Sequence, residues 1–183
     1  MAKVILGTTM SLDGFINDRS GSVASLYPDL EALRKTRMLQ ESISRTGAVV
    51  MGRHAYDMAN GDFTGYEFQV PIFVLSHHVP KKVAKGENGS FKFNFVADGI
   101  ENAVQRAKAA AGDKDVTVIG GASTIQQCIN QRLFDEIEIC IMPLLFGEGL
   151  RLFEHISAAQ IELEKMEVID IPGMTCLRFL VVK

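Results

Sequence analysis

The sequence contains few cysteines, and their number and spacing argue against a covalently stabilised scaffold. The three cysteines, Cys128, Cys140 and Cys176, all lie in apolar stretches and have no C-x-x-C spacing. A disulfide framework uses a dense, even set of cysteines, and a zinc site needs closely spaced ligands. We therefore expect three ordinary core residues, no disulfide framework and no metal site.

Long apolar runs are missing as well. No stretch approaches the roughly 20 uninterrupted apolar residues that cross a bilayer, and the early run KVIL (3–6) is interrupted by Gly7 and two threonines. This run is too short for the apolar core of a secretory signal. We expect a soluble, cytoplasmic protein without a membrane partner.

Clusters of basic residues are also absent. The formal net charge is -3, and lysine and arginine form no long run. Nucleic-acid binding depends on clustered positive charges that neutralise phosphates, so we expect no nucleic-acid partner. A small anionic ligand requires only local charge and stays open.

The chain has the size and composition of one globular domain. It has 183 residues, of which 47% are hydrophobic, and it contains no repeat, low-complexity segment or Pro/Ser-rich linker. A chain of this length can bury one substantial core. We therefore predict a single domain over residues 1–183.

Apolar runs and periodicity predict an α/β protein with a mixed sheet. The predicted strands are 4–10, 48–52, 71–76, 91–96, 116–120, 136–142, 161–168 and 176–182. The predicted helices are 29–45, 100–111, one after Gly121 and a short one after Gly52. Early strands alternate with helices, which favours parallel crossovers, whereas the last three strands follow one another through loops. A bulge is expected between Glu164 and Lys165, where the alternation slips.

The segment VIGGASTIQQ (118–127) joins an apolar strand to a helix through two glycines. Ser123 and Gln126 have the spacing of a capping box at the start of that helix. Gly120 and Gly121 would let a ligand approach the backbone, and the helix start could hold a phosphate. The alternative is a tight turn without a ligand.

A second strand in VVMGRHAYDM (49–58) also ends at a glycine, Gly52. Arg53 and His54 follow it at the start of a helical turn. An arginine can pair with a phosphate through its planar fork, and a histidine can add a donor. Two glycine turns at the carboxyl ends of strands mark the usual ligand site of an open α/β sheet.

The segment VLSHHVPKK (74–82) follows the third predicted strand. Ser76, His77 and His78, with Lys81 and Lys82 nearby, could recognise a further phosphate such as the 2'-phosphate of NADP. The alternative is a polar, solvated turn. A metal site at the paired histidines is disfavoured, because no carboxylate or cysteine is placed to complete the ligand set.

Five segments together resemble the dihydrofolate reductase-like superfamily, and most closely the reductase domain of the bifunctional riboflavin-biosynthesis deaminase-reductase. These segments are MSLDGFI (10–16), VVMGRHAYDM (49–58), FVLSHH (73–78), VIGGASTIQQ (118–127) and LFDEIEICIMPLLFGEGLRLF (133–153). The resemblance covers essentially the whole chain. It implies a three-layer fold with a mostly parallel eight-stranded sheet, flanking helices and an antiparallel C-terminal hairpin, and a homodimer.

The resemblance also implies NADPH across the carboxyl ends of the strands. Thr9 and Ile16 match the positions that hold the nicotinamide carboxamide. The phosphate and adenosine positions are matched by Gly52, Arg53, His54, Ser76, His77, Gly120, Gly121, Ser123, Thr124 and Ile125. The family often has a cis bond between the two glycines.

The implied activity is that of an NADPH-dependent reductase acting on a small heterocyclic or sugar-phosphate substrate. Asp29 is the candidate for a substrate or proton contact, Asp13 fits a turn better than an acid catalyst, and Arg151 is a candidate anion contact. Two alternatives are a dihydrofolate reductase, whose Pro-Trp pterin segment has no clear counterpart here, and a nucleotide-binding protein without turnover.

Overall fold

The computed structural model describes residues 2–86, 92–157 and 159–182, so Phe91 of the fourth predicted strand lies outside the described residues. The strands are β1 (Val4–Ser11), β2 (Thr46–Gly52), β3 (Ile72–Leu75), β4 (Phe93–Val96), β5 (Asp115–Ile119), β6 (Glu136–Met142), β7 (Leu163–Ile171) and β8 (Met174–Val181). The helices are α1 (Leu30–Arg34), α2 (Arg37–Arg45), α3 (Arg53–Asp57), α4 (Ile100–Ala111) and α5 (Ala122–Asn130), with a 3₁₀ turn over Ala24–Leu26.

The eight strands form one sheet in the order β4-β3-β2-β5-β1-β6-β8-β7. The pairs from β4 to β6 are parallel, whereas β8 is antiparallel to both β6 and β7. This confirms the predicted mixed sheet with an antiparallel C-terminal hairpin. The register of β7 shifts between Lys165 and Glu167, just beyond the predicted bulge.

Alternating strand residues build a separate core on each face of the sheet. In β2, Ala48 and Val50 face the core that α4 and α5 cover. Val49 and Met51 face the other core, which includes residues of α2 and α3. The sheet is therefore the middle of three layers, as the resemblance implied.

The chain turns to opposite faces after β2 and β5, which are neighbours in the sheet. The segment after β2 leads through α3 to β3, whereas the segment after β5 leads through α5 to β6. Such a divergence opens a crevice at the carboxyl ends of the two strands. The two glycine turns meet there, because the Gly52 amide donates to the Gly120 carbonyl at 3.0 Å.

The predicted helix over 29–45 is wrong as a single element. It divides into α1 and α2 because the Thr36 side chain accepts a hydrogen bond from the Leu39 amide at 3.3 Å and caps a new helix. A threonine that bonds its own neighbouring backbone competes with continuation of the preceding helix.

The predicted capping box at α5 is also wrong. Gly121 occupies the N-cap position, and Ser123 lies inside the helix, where its hydroxyl accepts from Gln127. The Gln126 side chain instead donates to the carbonyls of Arg151 at 3.2 Å and Leu152 at 3.0 Å. It therefore ties α5 to the loop after β6. The Gly120–Gly121 peptide bond is cis.

The cysteines are all buried, but two of them are not ordinary core thiols. Cys140 and Cys176 are register partners on β6 and β8 and form a disulfide. This corrects the expectation of three unpaired cysteines. Cys128 remains a buried free thiol, and burial raises its pKa to about 12.

Residues 2–86, 92–157 and 159–182 contain neither a membrane-spanning helix nor a cluster of metal ligands. No helix in these ranges is long and apolar enough to cross a bilayer. In the same ranges, no group of three His, Cys, Asp or Glu side chains is arranged to hold a metal ion.

Candidate functional site

A cavity of about 340 Å³ lies at the carboxyl ends of β2, β3, β4 and β5. It brings together most of the residues that the sequence assigned to the phosphate and adenosine side of a dinucleotide. They are Gly52, Arg53, His54, Ser76, His77, Gly121, Ser123 and Thr124. We refer to this space as the phosphate cavity.

Packing requires a glycine at position 52, whereas no neighbouring protein atom requires one at position 121. A Cβ on Gly52 would lie 2.6 Å from the Thr124 hydroxyl, which is too close for any side chain. A Cβ on Gly121 would meet nothing within 4 Å and would project into open space beside the phosphate cavity. The structure thus leaves room for a ligand against the backbone of the second glycine turn.

The start of α5 supplies backbone donors beside that room. The amides of Thr124 and Ile125 bond the Gly121 carbonyl at 3.1 and 3.3 Å. The first-turn amides without an intrahelical acceptor are therefore those of Ala122 and Ser123, which both line the phosphate cavity. An anion at this position would also be stabilised by the helix dipole.

The structure places Ile125 outside the lining of the phosphate cavity. Its side chain is buried in the core against β5, and its amide is already bonded to Gly121. The reason is helical periodicity, since Cys128 and Ile129, three and four residues further on, lie on the same buried helix face as Ile125. Ile125 therefore packs in the core beneath the second glycine turn and does not line the phosphate cavity.

Arg53 is held at the mouth of the phosphate cavity by three groups. Its Nε lies 2.8 Å from an Asp57 carboxylate oxygen, and its Nη1 donates to the Ser76 hydroxyl at 3.3 Å and the His78 carbonyl at 3.1 Å. The guanidinium is thereby positioned between α3 and the end of β3. A planar, pre-oriented guanidinium is the side chain best suited to a phosphate.

The SHH segment contributes unequally to the phosphate cavity. Ser76 is buried and bonds the His78 carbonyl at 2.8 Å, and the exposed His77 lines the cavity. Neither Lys81 nor Lys82 is among the described residues that line it. The predicted contribution of these lysines to a 2'-phosphate site therefore has no geometric support.

A second cavity, of about 820 Å³, lies on the face of the sheet that α1 and α2 cover. Its floor is formed by side chains from four neighbouring strands, among them Thr9 and Cys140. Its walls are α1, α2 and the segment 59–68, and most of its lining is apolar. We refer to this space as the ring cavity, because its volume and apolar walls suit a planar heterocycle.

The two cavities adjoin across the ends of β2 and β5. Met51 and Ile119 line the ring cavity, whereas Gly52 and Gly121, which lie one and two residues further along, line the phosphate cavity. An elongated ligand that lies over these strand ends would therefore reach both spaces. This is the crevice at which the chain diverges to opposite faces of the sheet.

Tyr27 and Thr9 form a polar pair in the ring cavity. Both residues line it, and the Tyr27 hydroxyl is hydrogen-bonded to Thr9. Burial raises the pKa of the Tyr27 hydroxyl, which the Thr9 bonds oppose and the nearby Glu67 charge reinforces. The tyrosine is therefore protonated at neutral pH and can act as a hydrogen-bond donor.

A family model described as the RibD C-terminal domain matches residues 2–177. The chain belongs to the RibD C-terminal domain family. It is similar to the uncharacterized protein YyaP of Bacillus subtilis (strain 168), with 28% identity over 162 residues that cover 85% of this chain and 82% of YyaP. It is also 28% identical over 164 residues to the riboflavin biosynthesis protein RibD of Corynebacterium ammoniagenes, but spans only 44% of that protein.

Solved structures share the fold of this RibD-type domain. A Shewanella sp. PV-4 protein, provisionally assigned to riboflavin biosynthesis, matches with a TM-score of 0.81 and 24% identity, covering 99% of both chains. A Thermotoga maritima diaminohydroxyphosphoribosylaminopyrimidine deaminase/5-amino-6-(5-phosphoribosylamino)uracil reductase matches with a TM-score of 0.71 and 17% identity, covering 99% of this chain and 57% of that one. At these identities the likeness establishes the fold.

In this RibD-type domain Asp29, the predicted substrate or proton contact, lies at the start of α1. Its carboxylate accepts a hydrogen bond from the Ala32 amide at 2.8 Å and caps α1, and it lines neither cavity. Its neighbours Pro28 and Leu30 line the ring cavity. The reason is local, because an aspartate before a helix satisfies the helix amides first.

Ile16 and Thr9 were both predicted to hold a carboxamide, but the structure separates them. Thr9 lines the ring cavity, whereas Ile16 lines neither cavity and donates its amide to the Leu150 carbonyl at 2.9 Å. That contact belongs to a pairing of the loop after β1 with the loop after β6. Leu150 itself lines the phosphate cavity, so Ile16 affects this cavity only through its hydrogen bond to Leu150.

Asp13 holds these two loops together. Its carboxylate accepts from the Ser11 hydroxyl at 2.6 Å and from the amides of Phe146 and Gly147 at 3.1 and 2.7 Å. The Ser11 bond is the main reason that the pKa of Asp13 is lowered to about 2. Arg151 packs over the Phe15 ring at 4.3 Å and donates to the Asp13 carbonyl. These two contacts explain the position of Arg151 without a bound anion.

The charged residues of the ring cavity were missed by the sequence reasoning. Arg34, Glu67 and Glu138 line it, and each is paired with another charged side chain. Glu138 could have been recognised as the outward-facing residue of β6, whereas Glu67 lies in an irregular segment that carries no periodic signal.

Proposed function

We propose that the protein is an NADPH-dependent reductase that transfers hydride to a C=N or C=O carbon of a small heterocyclic or sugar-phosphate substrate. The observation that carries the proposal is the junction of the phosphate cavity and the ring cavity at the ends of β2 and β5. One long ligand with a charged middle and a planar end fits that arrangement. Family membership agrees with a reductase of the riboflavin pathway.

The residues of the phosphate cavity fit a dinucleotide pyrophosphate. The open space over Gly121 admits the phosphates, the amides of Ala122 and Ser123 offer hydrogen bonds, and Arg53 offers a positive charge. The first-turn amides together with the guanidinium favour an anion here. Ser76 and His77 lie where the adenosine end would emerge.

The ring cavity fits the reacting end of the cofactor together with a substrate. NADPH, when bound, supplies the hydride. The protein's own residues position the reacting groups and exclude water. The apolar walls of α1 and α2 and the polar pair of Thr9 and Tyr27 serve these two purposes. The protonated Tyr27 hydroxyl is available as a hydrogen-bond donor to a substrate oxygen or nitrogen.

The name of the Thermotoga maritima protein specifies a 5-amino-6-(5-phosphoribosylamino)uracil reductase. This reaction is the model for the proposed chemistry. Dihydrofolate reductase activity is the alternative within the same superfamily.

A nucleotide-binding protein without turnover is the alternative from another class. It is favoured by one observation, namely that the Asp29 carboxylate caps α1 and lines neither cavity. The two possibilities differ in whether reduced cofactor is consumed.

Thermal denaturation with and without cofactor tests the proposal. A ligand at about 100 times its Kd stabilises a fold by about 2.7 kcal/mol, so NADPH should raise Tm. Loss of the reduced-nicotinamide absorbance with pyrimidine, pterin or carbonyl substrates would then establish turnover. Absence of any Tm change with NADPH and NADH would refute the cofactor assignment, and binding without oxidation would favour the alternative without turnover.

Replacement of Arg53 tests which phosphates of the cofactor its guanidinium contacts. We expect Arg53→Ala to weaken NADPH binding by about tenfold, and NADH binding less, because a guanidinium bond to phosphate contributes roughly 1.5–3 kcal/mol. Asp57→Asn is the matched control, because it removes the carboxylate partner of Arg53 and keeps the guanidinium. Isothermal titration calorimetry gives both affinities. Equal losses for the two cofactors would count against a 2'-phosphate contact.

A further inference from the structure

The ring cavity contains more carboxylates than cations. Among the described residues that line it, Asp62, Glu67 and Glu138 are acidic, and Arg34 is the one basic side chain. A hydrogen bond from Thr64 lowers the pKa of Asp62, so this carboxyl is ionised at neutral pH. A substrate in this space therefore meets a negatively charged lining.

Each of the three nitrogens of the Arg34 guanidinium already donates a hydrogen bond. Its Nε donates to Glu67 at 2.9 Å, its Nη1 to Glu31 at 2.9 Å, and its Nη2 to the Gly65 carbonyl at 3.2 Å. A phosphate would have to share this guanidinium with the carboxylates of Glu67 and Glu31, which already neutralise its charge. Arg178, the partner of Glu138, does not line the cavity and is also close to Glu41 and Glu167.

The helix starts beside the ring cavity are occupied too. Asp29 caps α1 at 2.8 Å from the Ala32 amide, which places a carboxylate where the helix would otherwise attract an anion. Thr36 caps α2 by accepting from Leu39. The two ordinary ways of holding a phosphate, a cation and a helix start, are thus both filled by the protein.

The negative charge of Glu67 acts on two tyrosine hydroxyls of the ring cavity. Burial is the main cause of the raised pKa values of Tyr27 and Tyr66, and the charge of Glu67 adds to both. The remaining walls are apolar, with Leu33, Leu39 and Ile119 among them. These walls match an uncharged planar ring.

We infer that the substrate of the ring cavity is a non-anionic ring compound that carries no phosphate group. The inference rests on the proposed function and narrows it, because it selects the small heterocycle over the sugar phosphate. It also sets this chain apart from the phosphoribosyl substrate in the name of the Thermotoga maritima protein.

A matched pair of ligands tests the inference. The probes are 5-amino-6-(5-phosphoribosylamino)uracil and the same compound without its phosphate, each titrated into the NADPH-saturated protein by isothermal calorimetry. We expect the unphosphorylated compound to bind about tenfold more tightly, because placing like charges together opposes binding. NADPH is titrated first and separately, so that failure of the cofactor to bind is recognised as failure of the proposed function.

Glu67→Gln should change this preference in a defined direction. It removes one negative charge and weakens the bond to the Nε of Arg34, so we expect the phosphorylated compound to gain about fivefold to tenfold in affinity. The unphosphorylated compound should change by less than about twofold, since it carries no charge to respond. Glu101→Gln is the control, because it removes a carboxylate from the exposed face of α4.

Each outcome with a protein that binds NADPH is decisive. Tighter binding of the unphosphorylated compound, together with the Glu67→Gln gain, supports the inference. Equal or tighter binding of the phosphorylated compound would overturn it, and so would failure of the unphosphorylated compound to bind. The same gain in Glu101→Gln would show that overall charge, and not the ring cavity, sets the preference.

Discussion

Gly52 is the position where a single methyl group should disturb both folding and cofactor binding. A Cβ there would lie 2.6 Å from the hydroxyl of Thr124, a buried residue of α5 whose branched side chain has few alternative rotamers. Relieving the clash requires α5 to move away from β2. We expect Gly52→Ala to lower the free energy of unfolding by about 1–3 kcal/mol, the usual cost of overpacking.

Urea denaturation measures this loss, and Gly7→Ala is its matched control. Gly7 also lies in a strand, but a Cβ there would be 3.6 Å from the nearest atom, which is an ordinary contact. Gly7→Ala should therefore leave stability within about 0.5 kcal/mol of the parent. Equal destabilisation by the two substitutions would refute the steric explanation.

At the residue scale, the sequence predicts the phosphate cavity well and the ring cavity poorly. Gly52, Arg53 and Gly121 were recognisable because a glycine between a strand and a helix is a local pattern. That Asp29 caps α1 and lines neither cavity could not be predicted, because a free carboxylate and a helix cap look the same in sequence. Glu67 was missed because its partner Arg34 is distant in sequence and only the fold brings the two together.

At the element scale, a charged network ties together the amino ends of three strands. The buried Glu136 at the start of β6 bonds Lys3 at 2.6 Å and Arg45 at 2.8 Å, and Arg45 also bonds Asp115 at the start of β5. Because Arg45 is the last residue of α2, the network anchors that helix under the sheet. It lies at the opposite end of the strands from the phosphate cavity.

The network predicts a pH-dependent contribution to stability. Burial by itself would raise the pKa of Glu136, but hydrogen bonds from Lys3 and Arg45 outweigh it and lower the pKa below its ordinary value of 4.5. A lowered carboxyl pKa stabilises the fold above the unfolded pKa, and the contribution is lost as pH falls through the folded pKa. We expect Glu136→Gln to cost about 2 kcal/mol at pH 7.

Urea titrations of the parent and of Glu136→Gln at a series of pH values check this prediction. The difference between them should shrink as pH falls below the ordinary carboxyl value of 4.5. Glu162→Gln is the control, because this exposed residue lies outside the network and should show little difference at any pH. A difference that is constant from pH 7 to acid would mean that Glu136 acts by packing and not by charge.

Elements were predictable where local chemistry decides and not where register decides. The eight strands and the C-terminal hairpin follow from apolar runs, and α4 follows from helical periodicity. The disulfide between Cys140 and Cys176 has no local signal, because it depends on which residues of β6 and β8 face each other. The division of α1 from α2 depends on the Thr36 side chain. It was not predicted because the apolar periodicity continues across this residue.

At the scale of the whole molecule, topology places the two cavities side by side. The helices after β2 and β5 lie on opposite faces of the sheet, and their divergence opens the crevice that Gly52 and Gly120 border. The phosphate cavity is backed by α5, whereas the ring cavity is covered by α1 and α2. Ligand position is therefore set by chain order, and ligand identity by the side chains that each layer adds.

The C-terminal hairpin leaves apolar side chains exposed at the edge of the sheet. β7 is the last strand in the sheet order, and its residues Met166 and Val168 are 50% and 54% exposed. An exposed edge with apolar side chains is usually covered by another chain. The homodimer implied by the family resemblance would cover it.

The homodimer is testable by sedimentation velocity. We expect a species of about twice the 20.1 kDa chain mass, and we expect Val168→Glu to shift it toward the monomer, because burying an unpaired charge opposes association. Lys108→Glu is the control, since this exposed residue lies on α4, which contacts β2, β3 and β5 and not the hairpin. A monomeric parent would refute the dimer, and a dimer that survives Val168→Glu would place its interface away from β7.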